Sequence, residues 1–263
     1  MTQPNGRYNL IELMVCVAAR QLEDGKTAVI GTGMPLAAAM LAQKIHAPNL
    51  IIMFEAGSVA PQLIKLPISV ADSFTQTGAL LHSSMNEIME ACQRGMVDYT
   101  FLGGAQIDRY GNINSSIIGT DYQRPKVRLP GSGGANDLAS LCWKTLIITP
   151  HDKRRFVEKL DFLTTPGYLS GPGARERAGL PPGGGPYKVV STLALMGYDP
   201  ETRRMRVESI HPGVTKKDVI ANTSFEMLFV DPLPITREPT DEELGILRQV
   251  VDPLGLITDR RTG

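Results

Sequence analysis

Glu55 is a carboxylate placed where an α/β protein does chemistry. The apolar run Leu50-Ile-Ile-Met-Phe54 stops abruptly at Glu55, and Ala56-Gly57 follow. A short apolar run bounded by a turn reads as a buried strand of a parallel sheet. Open α/β sheets bind ligands at the carboxyl ends of their strands. A carboxylate on a rigid strand end, with small neighbours that let a substrate approach, is placed to take part in chemistry; it can also be a residue that only solvates the exit turn.

Two glycine-rich stretches are the other candidates. Gly131-Ser-Gly-Gly-Ala-Asn136 leads into a short apolar helical stretch, and such a loop exposes backbone N–H groups that can hold an anion. The same pattern also serves as an ordinary glycine turn. Gly31-Thr-Gly33 follows a strand and precedes a helix, with Glu55 lying 24 residues after Gly31. That is close to a dinucleotide fingerprint, in which Glu55 would hold a ribose hydroxyl. The third glycine of that fingerprint is Leu36 here, which favours a tight strand-to-helix turn instead. The cluster His151-Asp-Lys-Arg-Arg-Phe156 could meet phosphates but reads as a solvated surface turn. His151 has no acid or nucleophile partner at a recognised spacing and reads as structural.

The elements that must position these residues follow from periodicity. Leu10, Leu13, Met14, Val17 and Ala18 mark an amphipathic first helix. Thr27–Ile30 is a strand, and an Ala-rich helix with Pro35 in its first turn runs to about Ile45. Pro61 and Pro67 exclude a long helix from residues 56–82. Ser83-Ser84 opens a helix carrying Met85, Ile88, Met89 and Cys92, and Gly95 closes it. Tyr99–Leu102 and Thr145–Thr149 are further buried strands. Pro166–Pro186, rich in Gly, Pro and charge, is a long loop of the kind that covers an active site or packs on a partner. Lys188–Tyr198 and Met205–His211 read as an antiparallel pair joined at Asp199-Pro-Glu-Thr202. Thr215–Thr223 reads as a short helix and Met227–Val230 as a last strand. Thr240-Asp-Glu-Glu243 is a capping box for a helix that buries Leu244, Leu247, Val250 and Val251.

The expected class is α/β: an open, mainly parallel sheet with helices on both faces, plus a C-terminal antiparallel appendage. The 263 residues suffice for a single domain, with a core over about 9–160 and the loop-rich, antiparallel part over about 161–263. Charges balance, 27 against 27, which points away from nucleic acid or an anionic membrane as partner. No window approaches the ~20 consecutive apolar residues of a membrane span, and Met1–Arg7 lacks the layout of a secretory signal. Cys16, Cys92 and Cys142 are odd in number, far apart and set among apolar neighbours, as buried thiols are. A soluble cytoplasmic protein with no metal site and no permanently bound cofactor is the expectation.

Three segments taken together resemble family I coenzyme A transferases, specifically the β subunits of the glutaconate CoA-transferase branch. They are Phe54-Glu55-Ala56-Gly57, the stretch from Gly103-Gly-Ala-Gln-Ile-Asp108 to Tyr110-Gly-Asn-Ile-Asn114, and Gly131-Ser-Gly-Gly-Ala-Asn136. The long loop from Thr165-Pro-Gly-Tyr-Leu-Ser170 to Leu180 resembles the glutaconate branch more than the ketoacid branch. The resemblance implies that Glu55 is the nucleophilic glutamate and that Gly134 supplies a backbone donor of an oxyanion hole. Gly133 would keep the loop close to the acyl group. It further implies coenzyme A as a substrate and an α-type partner subunit, which carries the other oxyanion donor, in a hetero-oligomer. A CoA-thioester hydrolase or lyase on the same fold is the alternative. Position 56 departs from the pattern: ketoacid relatives carry Asn and glutaconate relatives Ser, whereas this chain has Ala56.

Overall fold

The computed structural model describes residues 6–70 and 72–258. They form two compact units, one made by the described residues up to Phe101 together with those from Arg237 onward, the other spanning Leu102–Thr236. The class is α/β, as the alternation of apolar runs and helical periodicity predicts.

In the first unit, α1 (Leu10–Ala19) starts at a capping box in which Asn9 and Glu12 satisfy each other's backbone N–H groups. β1 (Thr27–Val29) is followed by α2 (Met34–Ile45), which begins after Gly33 at φ 85° and has Pro35 in its first turn. Leu36 to Ala42 are all buried, because small alanines let this helix pack closely all round. β2 (Ile51–Met53) lies parallel to β1 with Ala28 opposite Ile52, so the two strands and α2 form a crossover unit. β3 (Ser58–Val59) turns back antiparallel on β2, and β4 (Leu81–His82) is antiparallel to β3. α3 (Met85–Gln93) opens at a Ser84/Glu87 capping box. β5 (Tyr99–Leu102) pairs parallel with the other edge of β1.

The second unit opens with a hairpin of β6 (Gln106–Ile107) and β7 (Ile113–Asn114), then a small ladder of β8 (Ile117–Ile118) and β9 (Val127–Arg128). α4 (Ala135–Leu141) leads into β10 (Lys144–Thr149). After the single turn α5 (Ala174–Arg177) come β11 (Gly185–Ser191), β12 (Ala194–Tyr198) and β13 (Met205–Ile210), then α6 (Lys216–Ala221) and β14 (Leu228–Phe229). β10–β11 and β13–β14 are parallel, and β11–β12 and β12–β13 are antiparallel. Ile107, Ile147, Phe156, Val189, Met196 and Val207 are at the centre of its core.

One expected strand is in fact two. Lys188–Tyr198 breaks at Thr192-Leu193 into β11 and β12. Ser191 Oγ accepts from the N–H groups of Leu193 (3.3 Å) and Ala194 (3.1 Å) and donates to the Ala194 carbonyl (3.1 Å). The hydroxyl thus stands in for the backbone bonds of a turn. Both flanking strands are apolar, so composition carries no sign of the break.

Residues from Arg237 return to the first unit. α7 (Asp241–Ile246) starts at the Thr240/Glu243 capping box, and Leu244, Leu247 and Val251 are buried. Val250, expected on the same face, is 47% exposed. Leu247–Val251 is a π turn, whose wider i→i+5 bonding rotates that side chain outward. The Glu12 carboxylate, 1% exposed, accepts from Nε and Nη2 of Arg248 at 2.7 and 2.8 Å, which ties α1 to this segment.

Candidate active site

Glu55 sits at the tip of a tight turn between β2 and β3. The Gly57 N–H donates to the Phe54 carbonyl (2.9 Å) and the Phe54 N–H to the Ser58 carbonyl (2.8 Å), leaving Glu55 and Ala56 as the two central residues. Phe54, Gly57 and Ser58 are buried, whereas Glu55 and Ala56 are half-buried. The apolar strand therefore anchors the turn and presents the carboxylate at its apex. Within its own unit, the Glu55 carboxylate has no ion-pair or hydrogen-bond partner among the described residues. The Ala56 methyl offers it none, where Ser or Asn would bring a polar group.

Gly57 explains why the turn is so compact. Its φ is 117°, and a Cβ at that position would lie 2.0 Å from the Ser83 carbonyl oxygen. The Ser83 N–H donates to the Gly57 carbonyl at 2.9 Å. On the other flank, Ser58 Oγ donates to the Thr75 carbonyl at 2.5 Å. Thr75 belongs to a 3₁₀ turn over Ser73–Gln76 that Asp72 caps.

The glycine loop of the second unit is built differently. Gly131 exchanges two bonds with Ser115: its N–H donates to the Ser115 carbonyl (2.9 Å), and Ser115 Oγ donates to its carbonyl (2.9 Å). The Ala135 N–H closes a turn onto the Ser132 carbonyl (3.0 Å), and Asn136 Nδ2 reaches the Thr164 carbonyl (3.2 Å). Thr164 Oγ1 in turn accepts from the Ser115 N–H (2.9 Å). Gly131 and Gly133 have φ of 96° and 50° with open space where a Cβ would be, and Gly134 (φ -79°, ψ 0°) caps α4. Within this unit neither the Gly133 nor the Gly134 N–H donates to another described residue. Unspent donors on a fixed loop are the arrangement that stabilises a developing oxyanion.

The amide- and hydroxyl-dense stretch before this loop is a scaffold. Asn114 Nδ2 bonds the Gln106 side chain (2.7 Å) and the Ile117 carbonyl (2.6 Å), and Asn114 Oδ1 accepts from the Ser116 N–H (3.0 Å). Asn112 Oδ1 accepts from the N–H groups of Gly167 (2.8 Å) and Leu169 (3.0 Å), pinning the start of the long loop.

Arg175 is the residue that reasoning from sequence missed. It is only 2% exposed, and its guanidinium donates to the carbonyls of Gly167 (2.9 Å), Ala139 (3.1 Å) and Ser140 (3.2 Å), with no carboxylate paired to it among the described residues. Burial pulls its pKa down. The positive group faces the carbonyl end of α4, where the helix dipole favours it. The long loop is thereby bolted to the helix that follows the glycine loop. In the sequence Arg175 is one charge among several in a Gly/Pro-rich stretch, and nothing there marks it as buried.

His151 is structural, as expected. Its Nδ1 pairs with Ser191 Oγ (2.9 Å), its Nε2 with Thr223 Oγ1 (3.0 Å), and its ring stacks on Phe156 at 3.7 Å. Burial pulls its pKa down to about 3. His211 donates through Nε2 to the Ser191 carbonyl (2.8 Å), and burial lowers it to about 4. Neutral, fully bonded core imidazoles do not supply a proton-transfer group. Cys16, Cys92 and Cys142 are buried thiols in no disulfide among the described residues, with Cys16 pushed up to about 12 by burial. Among the described residues no cluster of His, Cys, Asp and Glu could hold a metal ion, and no helix is long and apolar enough to cross a membrane.

Comparison with known proteins identifies the family of the chain. The coenzyme A transferase family matches residues 12–222. The 3-oxoadipate CoA-transferase of Pseudomonas knackmussii has a B-type subunit that is 39% identical over 242 residues, 92% of this chain and 92% of that one. The glutaconate CoA-transferase of Acidaminococcus fermentans has a B-type subunit that is 36% identical over 254 residues, 94% of this chain and 93% of that one. The crystal structure of glutaconate coenzyme A-transferase from the same organism matches the fold with a TM-score of 0.91 at 34% identity, covering 96% of this chain and 98% of that one. A match at this identity over 92–94% of this chain, together with the family match over residues 12–222, leads to one assignment: the chain belongs to the coenzyme A transferase family.

Proposed function

We propose that the chain acts as the β-type half of a CoA-transferase, in a cytoplasmic hetero-oligomer with an α-type subunit, and that Glu55 is its nucleophile. The observation that carries this is the presentation of Glu55: a half-buried carboxylate without a partner in its own unit, at the apex of a turn anchored by a buried strand. A carboxylate held this way loses little entropy in reaching an attack geometry. It attacks the acyl carbon of a thioester and forms an acyl–glutamyl anhydride, and the C–S electron pair leaves as CoA thiolate. The thiolate then attacks the glutamyl carbonyl, giving a glutamyl-CoA thioester and releasing the first carboxylic acid as its carboxylate. The acceptor carboxylate repeats both steps in reverse and leaves as the new acyl-CoA, so no net proton is needed.

Each attack passes through a tetrahedral oxyanion. The proposed donor in this chain is the Gly134 N–H, with Gly133 keeping the loop free of side chains beside the acyl group. The loss of one such donor typically costs roughly 10²–10³ in rate. Coenzyme A is a substrate in this scheme, and no resident cofactor is required. The relatives named for 3-oxoadipate and for glutaconate both handle dicarboxylic acids, which supports a dicarboxylic acyl group here. Ala56 removes a polar group beside Glu55 and is the first position to examine for a shifted preference.

The test is intact-mass analysis of this chain, co-expressed with its α-type partner and mixed with glutaryl-, glutaconyl- or 3-oxoadipyl-CoA without acceptor acid. A covalent CoA adduct mapped to Glu55 is expected. Steady release of free CoA with no adduct overturns the scheme in favour of a thioester hydrolase or lyase.

A further inference from the structure

The Glu55 turn is held by a segment of the chain that contributes nothing to the strand before it. Ser58 follows the turn, is 3% exposed, and closes it by accepting the Phe54 N–H at its carbonyl (2.8 Å). Its side chain points away from the turn, and Oγ donates to the Thr75 carbonyl at 2.5 Å. Thr75 is itself 1% exposed, with Oγ1 donating to the Asp72 carbonyl at 2.6 Å. Asp72 accepts from the Phe74 N–H (3.0 Å) and the Ile68 N–H (3.1 Å), so the acceptor of the Ser58 bond lies on a locally braced turn. On the opposite side the Ser83 N–H bonds the Gly57 carbonyl at 2.9 Å. Its own carbonyl fills the place of a Gly57 side chain.

The contacts that reach the turn from Thr75 and Ser83 are made to Ser58 and Gly57, and none to Glu55. β3 has only two residues and a single paired register with β2, Met53 opposite Val59. The Ala60 N–H adds a bond to the Ile52 carbonyl at 2.8 Å. The bonds to Thr75 and Ser83 tie the turn to residues outside that ladder.

We propose that Ser58 is a positioning residue for the reaction: its buried hydroxyl, bonded to the Thr75 carbonyl, together with the Gly57–Ser83 contact, fixes the direction in which Glu55 points. This rests on Glu55 being the nucleophile. A displacement of about 1 Å of a reacting group can cost on the order of 100-fold in rate. Loss of the Ser58 bond therefore acts on the rate of attack, whereas substrate affinity is set elsewhere.

The experiment compares wild type with Ser58→Ala and Ser58→Cys, each co-expressed with the α-type partner, using active-site titration by intact mass with acyl-CoA alone. The amplitude of the Glu55 adduct counts competent sites, and its rate of appearance reports attack. In Ser58→Ala the amplitude is expected to stay at the wild-type level, the rate to fall about 10- to 100-fold, and KM to change less than about twofold. Ser58→Cys keeps a weaker donor on a somewhat larger side chain and is expected to fall between the two. A purely structural role would lower the amplitude and leave the rate per competent site unchanged, and that result overturns the proposal. If Ser58→Ala fails to assemble, Ser58→Cys decides: an unchanged rate overturns the proposal and a reduced rate at full amplitude supports it. Absence of a Glu55 adduct in wild type removes the nucleophile assignment and this proposal with it, whereas an adduct at a normal rate in both variants removes only the positioning role.

Discussion

The Glu55 turn and the glycine loop use glycine for opposite reasons. At Gly57 the backbone of another segment occupies the side-chain position, with the Ser83 carbonyl oxygen 2.0 Å from where a Cβ would be. At Gly131 and Gly133 nothing lies within 4 Å, and only the positive φ of 96° and 50° calls for glycine. The first glycine permits contact and the other two permit conformation. The carboxylate turn is consequently gripped from both flanks, while the glycine loop is held at its ends, by Ser115 at one and Asn136 at the other, with its middle amides left unbonded within the unit. A nucleophile must be aimed, and an oxyanion donor must be available.

The largest effect expected from that division is at the carboxylate itself. Glu55→Gln keeps volume and leaves the turn bonds intact, so transfer should vanish while thermal unfolding is unchanged. Measurable ping-pong turnover in the Gln variant, with deamidation excluded by mass, would remove Glu55 from the chemistry. Next, Gly134→Ala meets no conformational obstacle, since a φ of -79° suits any residue. The N–H itself is kept and only a methyl is added beside the oxyanion site, so turnover should fall by less than the roughly 10²–10³ that loss of the donor would cost, with little change in KM. A raised KM at normal turnover would instead make the loop a binding element.

The contrast between the glycines is tested directly by stability. Gly57→Ala should cost about 3 kcal/mol or more, because an overpacked backbone contact adds to an unfavourable φ. Gly133→Ala should cost only about 1–2 kcal/mol, the conformational part alone. Equal losses in urea titrations of the two variants would erase the distinction.

A pH-dependent effect concerns the core of the second unit. The folded pKa values of His151 and His211 lie near 3 and 4, below the ordinary 6.5. The unfolded chain therefore binds more protons as acidity rises. The stability of the neutral, buried imidazoles is fully present above about pH 6.5. It is lost as pH falls toward those folded values, at about 1.4 kcal/mol per pH unit for each histidine. Urea midpoints between about pH 7 and 4.5 should fall less steeply in His211→Asn than in wild type. Parallel slopes would show that this network does not set the acid limit.

Much of this architecture is legible along the chain because its signals are local. The capping box read at Thr240 is present, and Ser84 and Thr215 cap helices that begin where the sequence reading starts them, each through a side chain that bonds backbone three residues away. Glu55 at the end of an apolar run is equally local. The break at Thr192-Leu193 escapes such a reading because apolar residues flank it and only the Ser191 hydroxyl makes the turn. Val250 falls on a different face from the one its spacing predicts because a π turn changes the period that the pattern assumes.

The sequence by itself determined where the longer helices and several of the strands begin, which family the chain resembles, and which carboxylate and glycines are candidates for the chemistry. Hydrophobic period, caps and turn residues act over a few positions, and that is how far such signals reach. Tertiary structure alone decided that Arg175 is buried against four carbonyls, that Asn112 pins the long loop, and that Ser83 forbids a side chain at Gly57. Each of those contacts joins residues that lie between 8 and 57 positions apart. Burial and approach at that separation depend on how the elements pack, and no local pattern of residue types encodes them.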